Sequence, residues 1–332
     1  MDDHLTGTSE TRFGRRALLR GAVVAGAAAW AAGCGGTEGT AVRVTGGPPQ
    51  AFELGHWRSR ARLPSGRVEA AVVAHDGRVH VLGGATLMTG ACTAHDAYDP
   101  DGDLWRSLAP LPGAARGAGA ASDPGHLYVA GGVDETGRAL SSAYVYDGGA
   151  DAWAPLPSLP APAAAPSLVV VEDLLVAVSG GRVWVLRTGD LGGASWSAGA
   201  RPPRPRSRPA AVGLANIVHV IGGREGREPS NRHDVYNPWS DQWFEVAPLP
   251  TARSSAAAAV LGGQALVAGG MGWDGLSHRT EAYDRSTDLW TSVAPLPTAR
   301  RGAGAAVLGT TLHVAGGGGR MPGVRHDVFT RS

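Results

Sequence analysis

The sequence predicts an all-β protein, a six-bladed β-propeller, and three observations carry that prediction. Six Gly-Gly pairs, at Gly83-Gly84, Gly131-Gly132, Gly180-Gly181, Gly222-Gly223, Gly269-Gly270 and Gly316-Gly317, recur at intervals of 48, 49, 42, 47 and 47 residues. Six tryptophans, Trp57, Trp105, Trp153, Trp196, Trp243 and Trp290, are spaced by 48, 48, 43, 47 and 47. Around each pair the same short apolar runs and turn signals return, without helical periodicity. One supersecondary unit is repeated six times.

Each unit reads as four antiparallel strands. The first is a run of small apolar residues, such as the stretch ending at Val73 or at Ala306, and its Ala and Gly crowding suits the innermost position, where strands from all blades converge. The second is β-rich and closes on Gly-Gly, which supplies positive φ or a close backbone approach that a β-branched residue could not tolerate. The third carries a tyrosine in most units (Tyr98, Tyr146, Tyr236, Tyr283). The fourth carries the periodic tryptophan, which is expected to pack between neighbouring sheets and bury roughly 150 to 250 Å².

A Gly-Gly doublet, then Tyr, then Trp about twenty residues on, in units near fifty residues, resembles the kelch repeat. The resemblance covers residues 54–332. Residues 53–64, ELGHWRSRARLP, match 103–112, so this N-terminal segment is expected to complete the last blade beside the strand containing His326 to Phe329. Such a closure seals the ring and removes an open sheet edge.

Residues 1–33 stand apart from the repeats. Gly14-Arg15-Arg16-Ala17-Leu18-Leu19-Arg20 resembles a twin-arginine export signal, and the apolar segment 21–32 is too short to cross a bilayer. Ala31-Ala32-Gly33-Cys34 resembles a bacterial lipobox, which implies diacylation of Cys34. Residues 34–53, rich in Gly, Thr and Pro, are expected to tether the lipidated cysteine to the propeller. The implied location is extracytoplasmic, on the cell membrane through a lipid anchor only. With Cys34 acylated, Cys92 has no partner for a disulfide.

The chain has no lysine, and beyond residue 33 its 26 arginines balance 26 acids. That balance argues against general nucleic-acid binding, which draws on a basic surface. Neither Gly-x-Ser-x-Gly nor His-Glu-x-x-His occurs, and the glycines at 316–319 end a strand rather than open a helix, so they do not read as a phosphate cradle. His95-Asp96, His233-Asp234 and His326-Asp327 occupy one repeat position in different blades, and His80, His219 and His313 another. Their repetition points to packing between blades rather than to zinc, and no metal or cofactor is expected.

The segments joining one blade to the next share a face with the loops between second and third strands, at 85–94, 133–141, 224–232, 271–279 and 318–325; blade 3 has almost no such loop. These segments carry arginines about 16 residues before Gly-Gly: Arg67, Arg116, Arg206, Arg253 and Arg300, with Arg208 and Arg301 close by and Pro162-Ala163-Ala164 in blade 3. Guanidinium groups converging on one mouth of the channel would favour carboxylate or phosphate; the competing expectation pairs each arginine with a neighbouring acid. Trp273, off the repeat register, is a candidate stacking residue for a sugar ring.

A non-catalytic recognition module follows, presenting one face to a glycan, peptide or protein partner, with an acidic ligand expected. The resemblance also admits a sugar enzyme like the sialic-acid mutarotases and, remotely, a copper radical oxidase, though Cys92 lacks the Tyr and His context of that chemistry. A purely structural role for both faces is the remaining alternative.

Overall fold

The computed structural model describes residues 55–331 except Asp190; the expected export signal with Arg15 and Arg16, the lipidation site Cys34 and the tether lie outside the described residues. Six four-stranded antiparallel sheets form the ring. Blade 1 comprises Ala71–His75, Arg78–Leu82, His95–Asp99 and Leu104–Ser107; blade 2, Gly119–Ser122, Leu127–Ala130, Ala143–Asp147 and Ala152–Leu156; blade 3, Ser167–Val171, Leu174–Ser179, Arg182–Arg187 and Ser197–Gly199. Blade 4 comprises Ala210–Leu214, Ile217–Ile221, His233–Asn237 and Gln242–Glu245; blade 5, Ala257–Leu261, Gln264–Ala268, Thr280–Asp284 and Leu289–Val293. Blade 6 takes Arg301–Leu308, Thr311–Gly318 and His326–Thr330, and its outer strand is His56–Ser59, with Trp57 opposite Phe329. The N-terminal closure expected from the sequence is therefore the one observed.

Small side chains decide which strand is innermost. The first strands converge on an axial cavity of about 520 Å³ lined almost wholly by Ala, Val and Gly, where larger residues from six directions would collide. The apolar core lies between blades rather than inside one. Val212, Leu214 and Ile221 of blade 4 pack with Ala265, Val267 and Tyr283 of blade 5, and Leu82 of blade 1 shares a cluster with Leu127, Val129 and Tyr146 of blade 2.

The periodic residues are the parts that join blades. Every periodic tryptophan donates its indole N–H to a carbonyl of the preceding blade at 2.8–2.9 Å: Trp57 to Ala294, Trp105 to Ala61, Trp153 to Ala109, Trp196 to Pro157, Trp243 to Ala200 and Trp290 to Ala247. Four blades add a second tie. Tyr98, Tyr146, Tyr236 and Tyr283 donate to Asp103, Asp151, Asp241 and Asp288, and each carboxylate also accepts a backbone N–H from the blade before. Blade 3 has Leu186 and blade 6 has Phe329 at the tyrosine position, and neither has the aspartate.

The glycine doublet is the third tie. The N–H of Gly223 donates to the Arg253 carbonyl at 3.0 Å, and a Cβ on Gly222, at φ 62°, would stand 2.5 Å from that oxygen. Gly180 in blade 3 faces nothing within 4 Å, and its doublet is simply the tight turn of a hairpin pairing Ser179 with Arg182. Trp290→Phe, which keeps the ring but removes the indole donor, is expected to cost about 1 kcal/mol, read as a lower urea midpoint. Trp273→Phe, on an exposed loop, should leave that midpoint unchanged.

Candidate functional site

The loops after the glycine doublets and the segments joining the blades share one face of the ring. Blade 4 projects a short hairpin, Arg224–Glu225 paired with Glu228–Pro229, and blade 5 another, Met271–Gly272 paired with Gly275–Leu276. Blade 3 contributes only its two-residue turn, so the face is uneven, as the sequence suggested.

Four of the five column arginines do not face this mouth. Arg67, Arg206, Arg253 and Arg300 turn into the blades they lead into and are at most 5% exposed. Each pairs with an acid on the third strand: Arg67 with Asp96, Arg206 with Asp234 at 2.6 Å, Arg253 with Glu281 and Arg300 with Asp327 at 2.6 Å. Each also donates to a second-strand carbonyl, of Val81, Val220, Val267 or Val314. Burial lowers the pKa of all four guanidinium groups, and it raises that of Asp234 despite the opposing charges of Arg206 and Arg232. The expectation that these arginines converge on the channel is corrected: a buried guanidinium needs its carboxylate, and the blade supplies it.

Arg116 differs because its register differs. It lies 15 residues before its glycine doublet, whereas the other four lie 16 before theirs. The carbonyl that bonds Gly132 is Ala163's and the one that bonds Gly84 is Ala115's, so Ala115 and Ala163 occupy the column position in blades 2 and 3. Those blades also lack the acid, carrying Tyr144 and Trp184 there. Arg116 corresponds instead to Ser207, Ser254 and Arg301, and its side chain remains a third exposed.

At the next residue the backbone turns left-handed in five blades, at Glu69 (φ 58°), Gly117 (66°), Arg208 (53°), Ser255 (53°) and Gly302 (61°). Their peptide groups form a chain around the mouth: Ser255 N–H to Arg208, Gly302 to Ser255, Glu69 to Gly302 and Gly117 to Glu69, at 2.7–3.2 Å. Positive φ at three non-glycine residues is accompanied by this chain of peptide hydrogen bonds. Over it lies one ionic bridge. Glu69 accepts from Arg208 through one oxygen and from Arg116, at 3.1 Å, through the other. Blades 1 and 4 stand opposite each other in a ring of six, so the bridge crosses the mouth. Burial raises the pKa of Glu69, but the hydrogen bonds and charges of Arg208 and Arg116 outweigh it, and the carboxyl lies below its ordinary range.

Beside the mouth, over the start of blade 5, is a depression of about 200 Å³. Arg208, Arg224 and Arg227 come to it from blade 4 and Arg301 from blade 6, with Ser254, Ser255, Met271 and Gly272 as its floor. Trp273, 67% exposed, caps the hairpin that begins at Met271. Met88 and Met321 are exposed on other loops of this face. Glu69, Arg224 and Arg227 do not stand out in the sequence as site residues; a signal is present in Glu69, an acid standing where the other blades place Gly, Ala, Ser or Arg.

The histidines pair within blades. The Nδ1 of His80, His219 and His313 meets the Nε2 of His95, His233 and His326 at 2.8, 2.9 and 3.0 Å. The second histidine of each pair packs edge-on against the Tyr and Trp of the following blade, as in His95 against Tyr146 and Trp153. Among the described residues no cluster of three or more His, Cys, Asp or Glu side chains has the arrangement of a metal site.

Comparison with known proteins agrees with this architecture. The kelch motif matches residues 114–160, 205–250 and 252–297, which span blades 2, 4 and 5. No curated protein sequence matches the chain. Among solved structures, that of YjhT is similar, with a TM-score of 0.67 at 15% identity, covering 81% of this chain and 94% of that one. The likeness is one of fold: this chain is a six-bladed β-propeller, three of whose blades match the kelch motif.

Proposed function

We propose that the protein is an extracytoplasmic, lipid-anchored recognition module that binds an acidic glycan, peptide or protein partner on the face that carries the channel mouth. The observation that supports this reading is compositional. Arginine, Trp and Met, which are enriched in binding surfaces, are exposed together on this face at Arg227, Met271, Trp273 and Met321, with Arg116 a third exposed beside them. The arginines that follow the repeat are buried in ion pairs inside the blades, so those that reach the surface carry the reading. Lipidation of Cys34 would hold this face outside the cytoplasm without a spanning helix, and no helix among the described residues is long and apolar enough to cross a membrane.

The test is titration of the full chain with acidic oligosaccharides and acidic peptides. Arg116→Ala and Trp273→Ala are each expected to weaken binding about tenfold, or 1–2 kcal/mol, with unchanged thermal midpoints. Binding indifferent to both would remove the proposed face. Anomer exchange of a sialic acid, followed by NMR in the same samples, separates binding from the mutarotase alternative. Anchoring is tested by Cys34→Ala, which should release the protein from membranes; continued membrane retention would count against lipidation.

A further inference from the structure

The depression over the start of blade 5 brings together more positive charge than its surroundings neutralise. Four guanidinium groups line it, from Arg208, Arg224, Arg227 and Arg301. Among the described residues only Arg208 has an ion-pair partner, Glu69, which it shares with Arg116. The acids nearest in sequence are directed elsewhere: Glu225 accepts from Ser230 and lies 3.6 Å from Arg232, and Glu228 is not part of the lining. Arg224 is fixed from behind, its Nη2 donating to the Arg227 carbonyl at 3.0 Å, which ties the hairpin's two arginines together. Ser254 and Ser255 add small hydroxyl-bearing residues to the lining beside Met271 and Gly272.

Convergence of like charges is unfavourable without a counter-ion, and planar guanidinium forks match the oxygens of tetrahedral anions. A monocarboxylate can satisfy one fork. Three forks without a carboxylate and two hydroxyl-bearing serines call for an anion with more oxygens and more charge. We infer that this depression is a subsite for a phosphate or sulfate monoester group, held by Arg224, Arg227 and Arg301, with Arg208 shared between that group and Glu69. The inference rests on the proposed recognition face and deepens it by naming the ligand's charged group. It also makes Glu69 an internal competitor. Its carboxylate occupies Arg208 when no ligand is bound, and a dianion arriving next to it must work against that negative charge.

Calorimetric titration of the full chain with inorganic phosphate and inorganic sulfate tests this. Saturable binding is expected, weakening at least about tenfold in Arg224→Ala and in Arg301→Ala, each removing a charge-assisted contact. Glu69→Gln, which keeps the shape and frees Arg208, is expected to tighten binding several-fold. Arg182→Ala removes a charge from the same face at blade 3 and should change nothing. Vesicles containing phosphatidylglycerol, compared with a soluble sugar phosphate, separate a lipid headgroup from a free ester. Arg301-dependent binding to either supports the subsite and names its source. Absence of saturable phosphate or sulfate binding, or weakening by Arg182→Ala equal to that by Arg301→Ala, would overturn it. Those results leave the recognition face itself standing if Trp273→Ala still weakens binding of acidic partners.

Discussion

Lowering the pH from 7 to 5 is expected to remove most of this propeller's stability. Six histidines in three pairs are at most 3% exposed, and burial is the main cause that lowers the pKa of each. His80, His233 and His326 fall from 6.5 to about 3, and His219 and His313 to about 4. At the second histidine of two pairs, geometry favours the same neutral state. In two of the pairs the second histidine's Nδ1 meets a backbone carbonyl, Ala109 or Ala247, so its Nε2 is the acceptor for the first histidine. Protonating that Nε2 would set two N–H groups against each other.

Because the folded pKa lies below the unfolded one, the contribution is complete above about pH 6.5 and falls away as pH drops towards 4 and 3. At pH 5 each of the five imidazoles lowered to about 3 or 4 costs about 2 kcal/mol relative to pH 7. Those five together amount to on the order of 10 kcal/mol, comparable with the whole stability of a typical domain, and burial of His95 adds in the same direction. Urea midpoints at half-unit pH steps should fall steeply below pH 6, and the double variant His219→Gln with His233→Gln should flatten the slope by about two protons. A midpoint constant between pH 7 and 5 would contradict the account.

Arg253→Ala is expected to be among the most damaging single truncations on the loop side of the ring. It strands the Glu281 carboxylate, 1% exposed, in a site built around its partner, and such losses cost about 3–5 kcal/mol. In a ring of this size that corresponds to a thermal midpoint roughly 10 °C lower. Replacing both partners with apolar residues, Arg253→Met with Glu281→Leu, should recover much of the loss, because it is the orphaned charge that is expensive. A double variant no better than the single one would show that the guanidinium's carbonyl contact to Val267 matters more than its charge.

Where the sequence is informative, the reason is repetition of a backbone requirement. Gly222 and its equivalents must adopt positive φ against a neighbouring carbonyl, and Trp290 and its equivalents must reach one, so these residues recur and their spacing alone counts the blades and closes the ring. The site is harder to read because side-chain direction hangs on a single residue. Arg116 at 15 residues and Arg253 at 16 point to different solvents, and averaging them into one column hides the distinction. A sharper comparison of the repeats separates them: arginine and acid appear together in blades 1, 4, 5 and 6 and are absent together from blades 2 and 3. What no repeat comparison can supply is the bridge from Glu69 to Arg208, which joins residues 139 apart across the mouth.

Arginines obeying the repeat brace the blade they lead into, and those off its register are the ones proposed to face a ligand. Thermal unfolding of Arg206→Ala and Arg301→Ala, measured side by side in the full chain, tests this division most directly. The account expects Arg206→Ala, which leaves Asp234 buried and unpaired, to lose roughly 10 °C, and Arg301→Ala to stay within about 2 °C of the parent. Equal losses, or a larger loss in Arg301→Ala, would contradict it.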